Sequence, residues 1–508
     1  MSNGRFYLFG EPARLMICSF MKLSILTAFI LLAAHLPAAK PNIIFILADD
    51  MGYGDVQALN PKSKIPTPHL NRLAKEGMTF TDAHSPSAVC TPTRYAILTG
   101  RYCWRSRLKS GVQNGYGTPL IEKERPTVAS HLRQAGYHTA VIGKWHLGLG
   151  FQKDAKGQWD WSQPLDHSPV DLGFDRSLII PASLDFPPYV YIEGRKITGL
   201  PDRTQPKQGF PGYLREGELG SDFSIIDCLD RLTKESCDHI HKRAKEKNPF
   251  FLYFPLTAPH KPVSPHPRFQ GKSKLGPYGD FVMQVDWTVG QVMKAVDDAG
   301  IKDNTLVIYT SDNASFMYRE SAKDKPHHLS DESQQIYYEG DHTANGPWRG
   351  TKADVWEGGH RVPTFARWPK GIKAGSVCKE TVCLVDLFAT ASELAKAKLP
   401  KPNEAAPDSF SWAPLFNGKP GQFRRAPVIN HSASGMFAIR MDEWKLVLGN
   451  GSGGREQPKG RRFTPPWQLF NLEEDPAETI NLASRETERV QRMEAALFQI
   501  LANDKSRK

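Results

Sequence analysis

"PNIIFILADDMGYGD", Pro41 to Asp55, carries an unbroken apolar run, Asn42 to Leu47, into two adjacent carboxylates and a glycine-rich turn. An apolar run without polar alternation marks a strand buried on both faces, as in a parallel sheet covered by helices. The pattern recurs in "NPFFLYFPL" from Asn248 and "DNTLVIYTSDN" from Asp303. The intervening "HLNRLAKEG", "TVASHLRQAG" and "DFVMQVDWTVGQVMKAVDDAG" read as amphipathic helices closed by glycine. This alternation predicts an α/β fold with a large, mainly parallel (mixed) sheet sandwiched by helices. Ligands of such sheets bind off the carboxyl ends of the strands. Asp49, Asp50, Asp312 and Asn313 all sit at such ends, so distant segments are expected to meet there.

From about Arg425 the texture changes. "APVINH", "MFAIRMDEWKLVLGN" and "WQLFNLEEDP" read as short strands of a small C-terminal antiparallel sheet, followed by a helix around Glu486 to Leu501. The expected organisation is an N-terminal extension and signal peptide over residues 1–39, a catalytic domain over 40–424 and a small subdomain over 425–508. Residues 150–245 and Ser315 to Trp348, rich in loop-forming residues, read as insertions suited to substrate selection.

"MKLSILTAFILLAAHLPAA", Met21 to Ala39, has the lysine, short apolar core and small residues of a secretory signal peptide. The core is too short to favour a stable membrane span, so a secreted or periplasmic location is expected. Without Arg5, Arg14, Lys22 and Glu11, the 65 basic and 54 acidic residues fall to 62 and 53, a net charge of +9. That excess suits sulfated or carboxylated glycans, and no basic run with interleaved aromatics points to nucleic acid. The chain has seven cysteines. With Cys18 in the leader and Cys90 set aside, Cys228 with Cys237 and Cys378 with Cys383 are candidate local bridges.

Three aspartates and an asparagine form an all-oxygen set suited to a hard divalent cation, Ca²⁺ ahead of Mg²⁺ if coordination is crowded. "SAVCTPTRYAILTGR", Ser87 to Arg101, sets a cysteine against that set. Thr91 reads as a helix N-cap and Pro92 as the first helical residue, which puts Cys90 at the positive end of a helix, where a free thiol would be activated. Yet a soft thiolate matches hard oxygen ligands badly.

"CTPTR" followed by "LTGR", with "ADDMGYGD" before them and "GKWHLG", "APH", "SDN" and "GTKADVWEGGHRVP" after them, resembles the type I, arylsulfatase-like sulfatases of the alkaline phosphatase superfamily, from about Pro41 to Leu482. The resemblance implies a sulfuric-ester hydrolase in which a maturation enzyme oxidises Cys90 to Cα-formylglycine, whose hydrate replaces sulfur with an oxygen nucleophile. It further implies that Asp49, Asp50, Asp312 and Asn313 hold the cation, normally Ca²⁺, against the Cys90-derived group. Arg94 would fix that group, and Lys144 and Lys352 would grip sulfate. His146 would take a proton during sulfate expulsion, while His260 would serve the leaving alcohol. The implied substrate is a sulfated sugar or aryl sulfate.

Two positions depart from the common pattern: Thr93 stands where Ser or Ala is usual, and Ala314 where glycine often follows Asp-Asn. Arg101 reads as support for the cysteine-bearing helix. His327, His328 and His342, in the insertion after Ala314, read first as solvated loop histidines and second as residues within reach of substrate, and His431, Arg440 and Trp104 carry the same two readings. Two competing functions keep the fold: a phosphodiester or phosphonate monoester hydrolase with the same metal site, and a non-catalytic binder of sulfated glycans.

Overall fold

The computed structural model describes residues 1–8, 40–209, 212–317 and 342–507. The signal-peptide segment Met21 to Ala39 and the loop histidines His327 and His328 lie outside these residues. Residues 1–8 carry no regular secondary structure. Pro41–Lys508 is one compact unit. No helix among the described residues is long and apolar enough to cross a membrane.

A mixed ten-stranded sheet runs, edge to edge, through Ser376–Cys378, Met78–Phe80, Thr364–Arg367, Thr305–Ser311, Asn42–Asp49, Phe250–Pro259, His138–Lys144, Arg176–Ile180, Ile192–Glu193 and Lys196–Ile197. Its centre is parallel: Ile44 faces Leu252 on one side and Val307 on the other. The outer pairs Thr305–Ser311 with Thr364–Arg367 and Arg176–Ile180 with Ile192–Glu193 are antiparallel.

The strand Asn42–Asp49 is apolar from Ile43 to Ala48 because both of its faces are covered. Ile43, Phe45 and Leu47 enter one core with Tyr95, Leu98, Leu132 and Phe388 from the helices Cys90–Thr99, Val128–Gln134 and Leu387–Leu394. Ile44, Ile46 and Ala48 enter the opposite core with Leu70, Leu232 and Val285 from Pro68–Glu76, Cys228–Arg243 and Gly276–Asp298. Period-two alternation therefore divides one apolar run between two cores.

The C-terminal residues form a four-stranded antiparallel sheet, Val428–His431, Phe437–Met441, Trp444–Val447 and Gln468–Asn471. Helix Thr487–Ala502 packs Val490, Met493 and Leu497 against Ile439, Leu446 and Leu469.

Residues 150–245 are not loop throughout: Arg176–Ile180 is a parallel strand of the main sheet and Cys228–Arg243 a 16-residue helix. The proposed disulfides are absent. Cys228 and Cys237 share one helix, where nine residues span about 14 Å, and all four cysteines are free. Cys378 and Cys383 belong to different sheets.

Candidate functional site

Strand ends and one helix start bring the site residues together. Asp49 closes the central strand, Asp312 and Asn313 follow Thr305–Ser311, Lys144 closes His138–Lys144, and His260 follows Phe250–Pro259. Gly143 makes the approach of its strand possible: at φ 138° it packs so closely that a Cβ would lie 1.9 Å from the Pro255 carbonyl oxygen. Asp50, His146 and Ala353, next to Lys352, all adopt positive φ, of 66°, 60° and 85°. Such conformations are costly for non-glycine residues and cluster at functional sites.

Cys90 is the first residue of its helix, and the N-cap is the extended Val89, not Thr91. Thr91 is drawn elsewhere: its hydroxyl donates to the His146 carbonyl at 3.0 Å and accepts from the Gln113 N–H. Pro92 still falls in the first turn, where backbone N–H groups have no helical acceptor. Thr93 donates to the Ser87 carbonyl. Arg101 donates to Tyr95 Oη and the Arg105 carbonyl, which ties the helix to the segment after it.

The site is buried and ionic. Arg94 donates through Nε and Nη2 to Asp312 Oδ2, at 2.9 and 2.7 Å, and through Nη1 to the Lys144 carbonyl. Lys144 Nζ donates to Asp49 Oδ2 at 2.6 Å and Lys352 Nζ to Asp50 at 2.7 Å, with Cys90 Sγ 3.7 Å from Lys352 Nζ. Asn313 Nδ2 donates to Asp50 Oδ1 at 2.7 Å, and His260 Nε2 lies 3.6 Å from Asp50 Oδ2. All ten candidate residues are buried. Three carboxylates meet three fixed cations, so their formal charges cancel.

Burial pushes the Cys90 thiol up to about 12, against the pull of Lys144 and Lys352. The free thiol is therefore not activated as the sequence suggested, because desolvating the thiolate outweighs both ammonium groups. Burial also holds His146 and His260 well below the usual histidine range, helped by the charges of Lys144 and Lys352 respectively. Each is neutral and its tautomer is fixed by a carbonyl, which can only accept. His146 Nε2–H donates to Gln113 at 2.7 Å, leaving Nδ1 as the basic nitrogen. His260 Nδ1–H donates to Lys261 at 2.6 Å, leaving Nε2. Burial and the charge of Asp49 push Asp312 up to about 6, a mark of crowded carboxylates.

A hard cation fits this donor set. Asp49 Oδ1 and Asn313 Oδ1 are buried without a hydrogen-bond donor, next to Asp50 and Asp312. Leaving such oxygens unsatisfied costs about 1–3 kcal/mol each, and oxygen ligands are what Ca²⁺ and Mg²⁺ take.

Other expectations change. His342 is no solvated loop residue: it is buried, with Nε2 2.9 Å from Asp55 and Nδ1 accepting the Lys64 N–H. His431 is buried in its strand, Arg440 lies 3.7 Å from Asp82, and Trp104 stacks on Tyr102. The sequence reading missed Gln113, which orients His146, and Asp185, whose Oδ1 lies 3.9 Å from His260 Nδ1. It also missed a second buried cluster, His84, Glu357 and His360, with ligand atoms within 4.8 Å of one another. A quoted motif, "GTKADVWEGGHRVP", contained two of its members.

The sulfatase family model matches residues 41–397. An N-acetylgalactosamine-6-O-sulfatase of Bacteroides thetaiotaomicron is 33% identical over 498 residues, 90% of this chain and 92% of that protein. Human arylsulfatase A is 32% identical, over 89% of this chain and 85% of its own length. A solved structure concerned with Bacteroides thetaiotaomicron metabolism of glycosaminoglycans superposes with a TM-score of 0.78 at 31% identity, covering 91% of this chain and 99% of that one. The chain therefore belongs to the sulfatase family, the sulfuric ester hydrolases.

Proposed function

We propose that this enzyme is exported and removes sulfate from a sulfated sugar, using formylglycine made from Cys90 and a divalent cation, Ca²⁺ ahead of Mg²⁺. Asp49, Asp50, Asp312 and Asn313 would hold the cation. The observation that carries this reading is the pair of donorless oxygens, Asp49 Oδ1 and Asn313 Oδ1, within a carboxylate cluster beside Cys90. When present, the cation supplies Lewis acidity towards a sulfate oxygen and the hydrated formylglycine supplies a hard hydroxyl nucleophile.

The side chains do the rest. Arg94 locks Asp312 and approaches Asp49 at 3.6 Å, so both carboxylates are held in place. Lys144 and Lys352 bind sulfate oxygens from fixed positions, where their charge meets the negative charge that grows in the transition state. His146 removes a proton through Nδ1 as sulfate is expelled. His260 serves the leaving alcohol oxygen through Nε2. Asp50 at 3.6 Å and the charge developing on that oxygen both favour a proton there.

The named activity of the bacterial relative makes 6-sulfated N-acetylgalactosamine the first sugar to test. The decisive experiment pairs mass spectrometry of the Cys90 peptide with sulfate release from aryl sulfate and a panel of sulfated glycans. Enzyme with converted Cys90 should release sulfate. Silence on the whole panel, or faster turnover of phosphate diesters, would overturn the reading.

A further inference from the structure

Beyond His260 lies a group of cations that the chemistry above does not use. Asp185 is 1% exposed, and its Oδ1 is buried without a hydrogen-bond donor. Its Oδ2 accepts from Arg215 Nη1 at 2.5 Å and lies 3.8 Å from Lys261 Nζ. Exposure rises outward from this acid, to 13% for the Lys261 side chain and 35% for that of Arg215, so the cations stand between it and solvent. Aromatic rings fix both: the Arg215 guanidinium lies 3.9 Å from the Phe186 ring centre, and Lys261 Nζ lies 4.4 Å from that of Tyr213.

A third cation comes from a distant part of the chain. Arg455 donates its backbone N–H to Asp354 Oδ1 at 2.6 Å, two residues beyond Lys352, and its charge acts on both Lys352 and Lys261. Its Nη1 is buried with no acceptor among the described residues. Asp185 thus faces two cations, and Arg455, whose charge disfavours the Lys261 ammonium, has an inner nitrogen without an acceptor among the described residues.

We propose that Lys261, Arg215 and Arg455 form a second anion subsite, which binds a carboxylate or sulfate borne on the same sugar as the scissile ester or on its neighbour. The inference rests on the sulfatase reading of the Cys90 centre. Lys261 directly follows His260, the leaving-group residue, so consecutive Cα atoms about 3.8 Å apart give one residue to the leaving oxygen and the next to the rest of the substrate. The second anion has no nucleophile at its own position, so it would be bound and not cleaved. Burial and the charges of Arg455, Lys352 and Arg215 push the Lys261 ammonium down to about 8, and an anion would relieve that repulsion.

The test compares sulfate release from three substrates: a sulfated hexosamine joined to a neutral hexose, the same joined to a uronate, and a hexosamine carrying two sulfates. Wild-type enzyme should prefer at least one dianionic substrate over the neutral-neighbour one. In Lys261→Met and Arg455→Gln that preference, as a ratio of kcat/KM values, should fall at least tenfold, or about 1.4 kcal/mol. The substrate that loses its advantage identifies the anion. No preference in the wild type, or equal losses on all three substrates, would overturn the subsite. Binding of the same compounds to Cys90→Ala protein, where turnover plays no part, separates the two readings. Charge-dependent affinity lost in the Lys261→Met, Cys90→Ala double variant keeps the subsite even if wild-type enzyme hydrolyses nothing, an outcome that would sink only the hydrolase reading. Equal affinity for neutral and anionic neighbours would sink the subsite.

Discussion

Two buried charge clusters flank the segment Lys352 to Arg361. Around Cys90, Asp49, Asp50 and Asp312 meet Arg94, Lys144 and Lys352. Around His84 and His360, Asp82, Glu357 and Glu478 meet Arg361, Arg440 and Lys445. Both sets of formal charges cancel, so counting charge does not distinguish them. The surroundings of their unpaired oxygens do. Lys445 Nζ donates to Glu357 at 3.1 Å, lies 3.1 Å from His360 Nε2 and faces Glu478 Oε1 at 2.9 Å, so even that oxygen, which has no well-directed hydrogen bond, has an ammonium against it. His360 Nδ1–H then donates to His84 Nδ1 at 3.0 Å and His84 Nε2–H to Asp82 at 2.8 Å, while the Val355 carbonyl stands 3.1 Å from His360 Nε2 as a competing acceptor. That network is a clamp between the C-terminal sheet and the Lys352 segment. In the Cys90 cluster Asp49 Oδ1, 3.6 Å from Arg94 Nη2, and Asn313 Oδ1 are both without a hydrogen-bond donor, and that deficit suits a cation.

Removing one residue from each cluster should therefore give opposite signatures. Cys90→Ala should lower sulfate release by at least about 10⁴-fold, since the nucleophile is lost, and shift the melting temperature by no more than about 3 °C. Residual activity within tenfold of wild type would remove Cys90 from the chemistry. Lys445→Met strands Glu478 as a buried, uncompensated acid and leaves Glu357 only Arg361 at 3.2 Å, and should cost about 3–5 kcal/mol of stability. Urea unfolding of that variant reads the loss, and a wild-type midpoint would break the contrast between clamp and reaction site.

How far these clusters could be read from the sequence depended on whether pattern or tertiary placement decides them. "NIIFILAD" is legible because a strand covered on both faces leaves no polar position between its ends, and the strand ends that collect the carboxylates follow from that. The C-terminal helix Thr487–Ala502 lies within a residue of its expected limits because its apolar spacing is regular. "RSLII" is too short to announce a strand of the main sheet. The N-cap moved from Thr91 to Val89 because the Thr91 hydroxyl is claimed by His146, 55 residues away. Asp185 and Lys445 carry no local signal: a lone acid in a Pro-rich loop and a lysine in a strand gain meaning only from what packs on them.

The contrast also sets metal content. Purified protein should bind one Ca²⁺ per chain, which calorimetry and elemental analysis would read. His360→Ala should leave that stoichiometry at one, and Asn313→Ala should weaken it. A ligand that binds only the folded state adds about 2.7 kcal/mol at a hundred times its Kd, so a chelator should lower the melting temperature of wild type and of His360→Ala alike. Two ions per chain in wild type and one in His360→Ala would show that the second cluster holds an ion as well.

The smallest effect concerns acid. His431 lies on the seam between the C-terminal sheet and the Cys90 approach, where its carbonyl accepts the Ala88 N–H at 3.0 Å, and burial holds its ring down to about 4. Burial holds His360, across the clamp, well below its ordinary range too. A histidine kept neutral by folding takes up a proton on unfolding at any pH below about 6.5. The unfolded state then binds more protons, and stability falls as pH drops from about 6.5 towards the folded value. For His431 the loss at pH 5 is about 2 kcal/mol. Thermal melts from pH 7 to pH 5 should therefore shift downward, and His431→Asn, which keeps a donor for the Ser432 carbonyl, should flatten the slope. An unchanged slope in His431→Asn would place the acid sensitivity elsewhere, with the His84–His360 clamp as the next position to test by His360→Asn.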